Sequence, residues 1–136
     1  MTHPLHKIET LNAPKALGPY SQGVSVQQGA GALIFASGQL PIDPKTGKLI
    51  EGDIKALTKQ VIDNLEAVLI EAGSRLDLVV RSDVFLKDLK DFAAMNEEYA
   101  KRFTGQTAPA RQTIQVADLP MGSPIEISCI AVKNEN

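Results

Sequence analysis

The sequence predicts an α+β fold, with one β-sheet carrying two amphipathic helices on a single face. Three observations lead there. Apolar residues alternate near the start, recur at spacings of three and four in two central stretches, then alternate again towards the end. The segments run strands, helix, strand, helix, strands. Glycine and proline cluster at the boundaries between them.

"HKIET" is short and alternating, and suits an edge strand. "LNAPKALGPYSQG" is rich in Pro and Gly and reads as a loop. Two strands, 24–27 and 32–37, follow, and "QGAG" between them supplies hairpin glycines. "QLPIDPKTGKLIEGD" is a second loop, in which "DPKTG" has the pattern of a type I turn. Ile54, Leu57, Val61, Leu65, Val68, Leu69 and Ala72 then form one apolar helical stripe. Asp53 suits its N-terminal end and Gly73 its C-terminal cap. Residues 78–86 read as a strand. Phe92, Met95, Tyr99 and Phe103 mark a second helix, ended by Gly105. Strands over 110–116 and 125–132 close the chain, with the loop "ADLPMGSP" between them.

With 136 residues, the chain fits one domain, 1–136, that can bury a core without disulfides or metals. Formal net charge is −2, from 14 Lys+Arg against 16 Asp+Glu. This balance leaves no electrostatic footprint for nucleic acid or an anionic membrane. Cys129 is the single cysteine, so no internal disulfide forms. The N-terminal "MTHPLHKIETLNAP" lacks an apolar leader, and no run approaches the ~20 residues of a membrane span. The expectation is a cytoplasmic protein.

Few side chains are candidates for chemistry. His3 and His6 flank Pro4 near a terminus, with no further His or Cys cluster, so no metal site is expected. "GAGALI" lacks the third glycine of a dinucleotide fingerprint and leads into a strand, so it reads as a turn. Cys129 lies in the apolar "IEISCIAV" and reads as a buried structural thiol. Alternation puts Arg111, Thr113 and Gln115 on one side of their strand. In the last strand Ile125, Ile127, Cys129 and Ala131 share a face, and Glu126, Ser128, Ile130 and Val132 share the other. If both strands lie in one sheet, Arg111 and Glu126 could meet. Spacing alone leaves two readings open. One is an exposed ion pair. The other is a small anion site, where Arg111 grips a carboxylate and Glu126 handles a proton or a water.

Four segments together resemble the RidA/YjgF family of reactive intermediate deaminases. They are "GPYSQG" (18–23), "SGQLPIDPKTG" (37–47), "DVFLKDLKDFAAMNEEY" (83–99) and "PARQTIQVADLPMGSPIEI" (109–127). They stand in the family's order and span almost the whole chain. The resemblance implies a chorismate-mutase-like fold, a single-layer mixed sheet with two helices on one face. It implies a homotrimer whose sheets form an inner barrel, with a ligand pocket at each subunit interface. It implies hydrolysis of 2-imino acids, such as 2-iminobutanoate and 2-iminopropanoate, to 2-keto acids and ammonia. Such imines arise when pyridoxal-phosphate dehydratases act on threonine or serine, and their hydrolysis needs no metal or organic cofactor.

Residue by residue, the resemblance assigns Arg111 to the substrate carboxylate and Glu126 to the hydrolytic water. Tyr20 borders the pocket as a further catalytic candidate, and Gly38 brings backbone to the ligand. Asn96 matches an asparagine of the second helix. Thr113 stands where many members have cysteine, so a nucleophilic thiol is missing there; the change is tolerated if contacts there come mainly from backbone, and alters activity or ligand preference if the thiol matters. Two alternatives stay open: a ribonuclease, and a non-catalytic binder or sensor of small 2-keto acids or a chaperone-like protein.

Overall fold

The structure, a computed structural model, describes residues 3–134. Its main sheet has six strands: β1 (Leu5–Ile8), β2 (Gly23–Gln28), β3 (Gly31–Gln39), β6 (Val79–Leu86), β7 (Ala110–Gln115) and β8 (Ile125–Lys133). A small hairpin, β4 (Ile42–Asp43) with β5 (Lys48–Leu49), stands apart. The strand order is β1-β2-β3-β8-β6-β7. β6 and β7 are parallel and the other pairs antiparallel, so the sheet is mixed. Helices α1 (Ile54–Glu71) and α2 (Phe92–Arg102) cover one face, as the sequence predicts.

Helix α1 forms where the apolar stripe lies. The Asp53 carboxylate accepts from the Ala56 N–H at 2.9 Å and caps the first turn. At the other end Gly73 takes φ 83°. Ser74 N–H then donates to Leu69 C=O, and Gly73 N–H to Ile70 C=O, closing a Schellman motif. Val61, Leu65, Val68 and Leu69 are fully buried, against Ile34, Val84, Ile125 and Ile127 from the sheet. Such side chains contribute roughly 1.5–3 kcal/mol each to folding. Arg102 on α2 donates to Asp63 at 2.6 Å and Glu66 at 3.0 Å on α1, tying the helices together.

Several boundaries differ from the sequence reading. Residues 76–78 form a 3₁₀ turn, so β6 begins at Val79. Helix α2 ends at Arg102, before Gly105, which instead lets the chain pass close to Asp77. Phe92 faces away from the core at 37% exposure, although Met95 and Tyr99 of the same stripe are buried. The loop after β3 contains the β4–β5 hairpin, because "DPKTG" turns tightly enough to pair its flanks. Thr46 and Gly47 N–H groups donate to the Asp43 carbonyl there.

The sheet's second face carries apolar side chains that no helix covers, among them Phe35 at 42% and Ile114 at 39% exposure. Strands β1 and β7 are its open edges, so no barrel closes within one chain.

Asn64 holds the hairpin against the body of the protein. Its buried amide donates to the carbonyls of Leu40 and Ile42, at 3.0 and 2.9 Å. Asn64→Leu strands two carbonyls and should cost roughly 2–4 kcal/mol, by the usual penalty for unpaired buried polar groups. Chemical denaturation of the variant beside the wild type checks this.

Candidate functional site

The candidate residues fall into two groups, each built by different elements. The first surrounds Glu126. On β8, Ile125 and Ile127 are fully buried in the core, so the pleat sends the Glu126 side chain to the opposite face. There it meets an irregularity in β3. Ala36 pairs with Cys129 and Gln39 with Ile127, so Ser37 and Gly38 together oppose Ser128, a β-bulge. A Cβ placed on Gly38 would stand 2.5 Å from Glu126 Oε2 and 2.8 Å from Cδ. Any larger residue there would force the carboxyl out of this position. Glu126 is half-buried, and burial raises its pKa above the ordinary carboxylate value.

Glu126 lines a cavity of about 390 Å³ together with Tyr20, Gly38, Lys15, Leu17 and Pro120. The loop before β2 forms one wall and is pinned from inside by Gln22. The Gln22 carboxamide, 4% exposed, accepts from Thr10 N–H at 2.7 Å. Its Nε2 donates to the carbonyls of Thr10, Ala13 and Pro14. Leu17 N–H donates to the Tyr20 hydroxyl at 3.0 Å, which fixes the phenol at the cavity wall. Ser37 Oγ donates to Ser21 C=O at 2.5 Å, joining the loop to the bulge.

The second group surrounds Arg111. The guanidinium Nη1 donates to Asn96 Oδ1 at 2.7 Å. Its Cζ lies 4.8 Å from the Tyr99 ring centroid and 5.7 Å from that of Phe92. Phe92, Asn96 and Tyr99 stand at helical spacings of four and three, so one stripe of α2 makes the cradle. Tyr99 is itself fixed. It stacks on Phe103 at 4.2 Å, and its hydroxyl bonds Ser82 Oγ at 2.5 Å. Burial raises the Tyr99 pKa, against the hydrogen bond to Ser82 and the charge of Arg111. Thr113 lies two residues along β7, and its Oγ1 is shielded from solvent with no hydrogen-bond partner among the described residues.

The pairing of Arg111 with Glu126 allowed by alternation does not occur within one chain. Both strands are in one sheet, yet β6 lies between them. Arg111 and Cys129 both register with Ser82, which faces the helices. Glu126 registers with Phe85, on the other face. So Tyr20, Gly38 and Glu126 come together, and Arg111, Asn96 and Thr113 come together, with the sheet between the groups.

Sequence reasoning missed Gln22, Phe92 and Tyr99 as builders of these groups. The signal for the last two was present in their spacing around Asn96, but it was absorbed into the apolar stripe. Cys129 is a buried free thiol, its pKa pushed up to about 12 by burial. Among the described residues no three His, Cys, Asp or Glu side chains form a group that would hold a metal. None of their helices is long and apolar enough to cross a membrane.

Comparisons with known proteins agree with this architecture. The family described as Endoribonuclease L-PSP matches residues 10–133. A RutC family protein of Pyrococcus abyssi is 51% identical over 126 residues, covering 93% of this chain and 95% of that protein. The 2-iminobutanoate/2-iminopropanoate deaminase of Salmonella typhimurium is 44% identical over 128 residues, covering 93% and 96%. The crystal structure of RidA from the Antarctic bacterium Psychrobacter sp. PAMC 21119 superposes with a TM-score of 0.83 at 42% identity, covering 93% of this chain and 98% of that one. With its helices on one face of a mixed sheet and matches that span nearly its full length, the chain belongs to the YjgF/RidA family.

Proposed function

We propose that the protein is a deaminase that hydrolyses reactive 2-imino acids, such as 2-iminobutanoate and 2-iminopropanoate, to 2-keto acids and ammonia. The observation that carries this reading is Glu126, a half-buried carboxyl with a raised pKa, packed on a glycine bulge in a cavity. Its neighbour Tyr20 and the prepositioned Arg111 complete the set of groups that the reaction needs.

In this reaction Arg111 takes the substrate carboxylate in a bidentate grip and orients C2. Glu126 removes a proton from a water as its oxygen adds to C2 of the iminium. The same carboxyl then gives a proton to the nitrogen. The C–N bond breaks, ammonia leaves, and the C2 hydroxyl passes its proton to the Glu126 carboxylate, which releases it to solvent, leaving the ketone. Tyr20 and the backbone at Gly38 hold ligand or water. Asn96 holds Arg111, and the unpartnered Thr113 hydroxyl donates to the ligand.

Arg111 and Glu126 lie on opposite faces of the sheet, so the proposed site is completed by a second copy of the chain. A homotrimer with three intersubunit sites, as the family resemblance implies, gives each Glu126 cavity an Arg111 from its neighbour. The apolar open face around Phe35 and Ile114 supports such an assembly, because it would leave water on association. Endoribonuclease action has less support. Arg81, Arg102, Lys55 and Lys59 are spent on carboxylates, which leaves no basic stripe along them for a phosphate backbone.

Arg111→Ala should abolish the acceleration of imine hydrolysis in an assay coupled to a threonine dehydratase. Full activity in that variant would remove the carboxylate-clamp role. Glu126→Gln should retain binding of a 2-keto acid and lose turnover. Mixed and reassembled, these two inactive variants should regain about a quarter of wild-type sites, since in a ring of heterologous interfaces that share pairs both intact halves. No recovery on mixing would place the whole site within one chain.

The raised pKa of Glu126 fixes two pH dependences. As general base it must be ionised, so kcat/KM should fall as pH drops through a value above roughly 4.3, the ordinary glutamate pKa. For stability, a carboxyl whose folded pKa exceeds its unfolded one favours folding fully below the unfolded value. That contribution is lost as pH rises through the folded value. Glu126→Gln should therefore melt above the wild type at pH 7 and level with it in acid. Thermal melts at the two pH values read this directly.

A further inference from the structure

The cavity around Glu126 is lined by one acid and one base. The base is Lys15, exposed at the wall formed by the loop before β2. Its backbone is held from both sides. Pro14 C=O accepts from Gln22 Nε2 at 2.8 Å, and Leu17 N–H donates to the Tyr20 hydroxyl. The stem of Lys15 therefore starts from a fixed point at the cavity mouth. Among the described residues Lys15 forms no ion pair, a state it shares with Lys45, Lys48 and Lys133, but of these four it alone lines this cavity. Glu126 does not neutralise it either. Burial alone accounts for the displaced pKa of Glu126, with no cation pulling it back.

The reading of the site as an imino acid deaminase leaves this charge without a task. The α-carboxylate belongs to Arg111, and the imine carbon to Glu126. The cavity measures about 390 Å³ in the single chain, before a second copy brings Arg111 to it. Leu17, Leu40, Ile42 and Pro120 give it apolar walls suited to a methylene stem, and low-dielectric walls strengthen a charge contact at its end.

We infer that Lys15 makes the site prefer 2-imino dicarboxylic acids, whose side chain ends in a second carboxylate, over imino acids with alkyl side chains. This rests on the deaminase reading given above. The second carboxylate meets the Lys15 ammonium at the cavity mouth while Arg111 holds the first.

The test uses the full-length protein with imines generated in situ by amino acid oxidases. One series starts from aspartate and glutamate, the other from 2-aminobutyrate, and the quantity read is the ratio of kcat/KM between the series. The wild type should favour the dicarboxylic series. Lys15→Ala should lower the ratio about fivefold to tenfold, the size of one charge-assisted contact at a half-open site. Lys15→Glu should lower it further, and Lys15→Arg should preserve it. Lys45→Ala, which removes a lysine elsewhere on the surface, should leave the ratio unchanged. A ratio that Lys15→Ala and Lys15→Glu do not move overturns the inference while the deaminase reading stands. Calorimetry with 2-ketoglutarate and 2-ketobutyrate separates the opposite case. Lys15-dependent preference for the dicarboxylate without any imine turnover would keep the charge recognition and sink the deaminase reading. Equal affinity in wild type and Lys15→Ala, with no turnover, would sink both.

Discussion

The pleat of β8 is the constraint on which both the core and the candidate site depend. The strand lies between β3 and β6, so it is paired on both edges. Its inward residues, Ile125, Ile127, Cys129 and Ala131, are all buried beneath the helices. Successive side chains must point to opposite faces, so burying this row sends Glu126 outward. A slip by one residue would put Glu126 and Ser128 under α1 and expose two isoleucines. The position of the acid is therefore guaranteed by the burial of its neighbours and needs no interaction of its own. In the bulge at Ser37–Gly38, Gly38 then has no Cβ to crowd the carboxyl.

Arg111 is held by the opposite strategy. It stands on an edge strand, where pairing constrains the backbone on one side only. Its geometry comes from side chains on another element, Asn96 through a hydrogen bond and Tyr99 and Phe92 through their ring faces. Cation–π contacts of this kind contribute roughly 0.5–2 kcal/mol each and leave the charge intact. A carboxylate partner would fix the guanidinium more firmly but would occupy the fork that an anionic ligand needs. A neutral amide and two aromatic faces position the cation without spending it. Phe92 is exposed for this reason: its place in the helical stripe serves the arginine, and the core is completed by Met95 and Tyr99.

How legible each feature was in the sequence follows from the distance over which it is decided. Helix α1, its Asp53 cap, its Gly73 exit and the β2–β3 hairpin rest on contacts a few residues apart, and local periodicity reveals them. The faces of β7 and β8 were also readable, since alternation is local. What alternation cannot supply is which strand lies beside which. The antiparallel insertion of β8 between β3 and β6 and the parallel docking of β7 on β6 are settled by packing across the whole sheet. For that reason alternation gave Arg111 and Glu126 a side of their own strands and allowed that they could meet, while the strand order keeps them apart within one chain. Gln22 was unreadable for a related reason. An isolated glutamine carries no pattern, and its role appears only when Thr10, Ala13 and Pro14 present their carbonyls to it. The family resemblance supplied candidate residues that neither kind of contact would have singled out.

The two halves of the candidate site also differ in what they cost the folded chain. Glu126 carries a desolvation penalty whenever it is ionised. Thr113 carries a shielded hydroxyl with no partner, and an unmade buried hydrogen bond costs about 1–3 kcal/mol. Among the described residues the other buried side-chain polar atoms are matched: Asn64 by two carbonyls, Ser82 by Tyr99, Gln22 by four backbone groups. The unmet groups thus stand among the candidate residues, one on each side of the sheet. Within one chain no single small ligand reaches both, but in the proposed assembly a ligand held between two copies would meet Thr113 of one and Glu126 of the other. On the proposed reading, the unmet hydrogen bond of Thr113 is a reserve from which ligand binding would draw. No step of the proposed hydrolysis asks that position for a nucleophile.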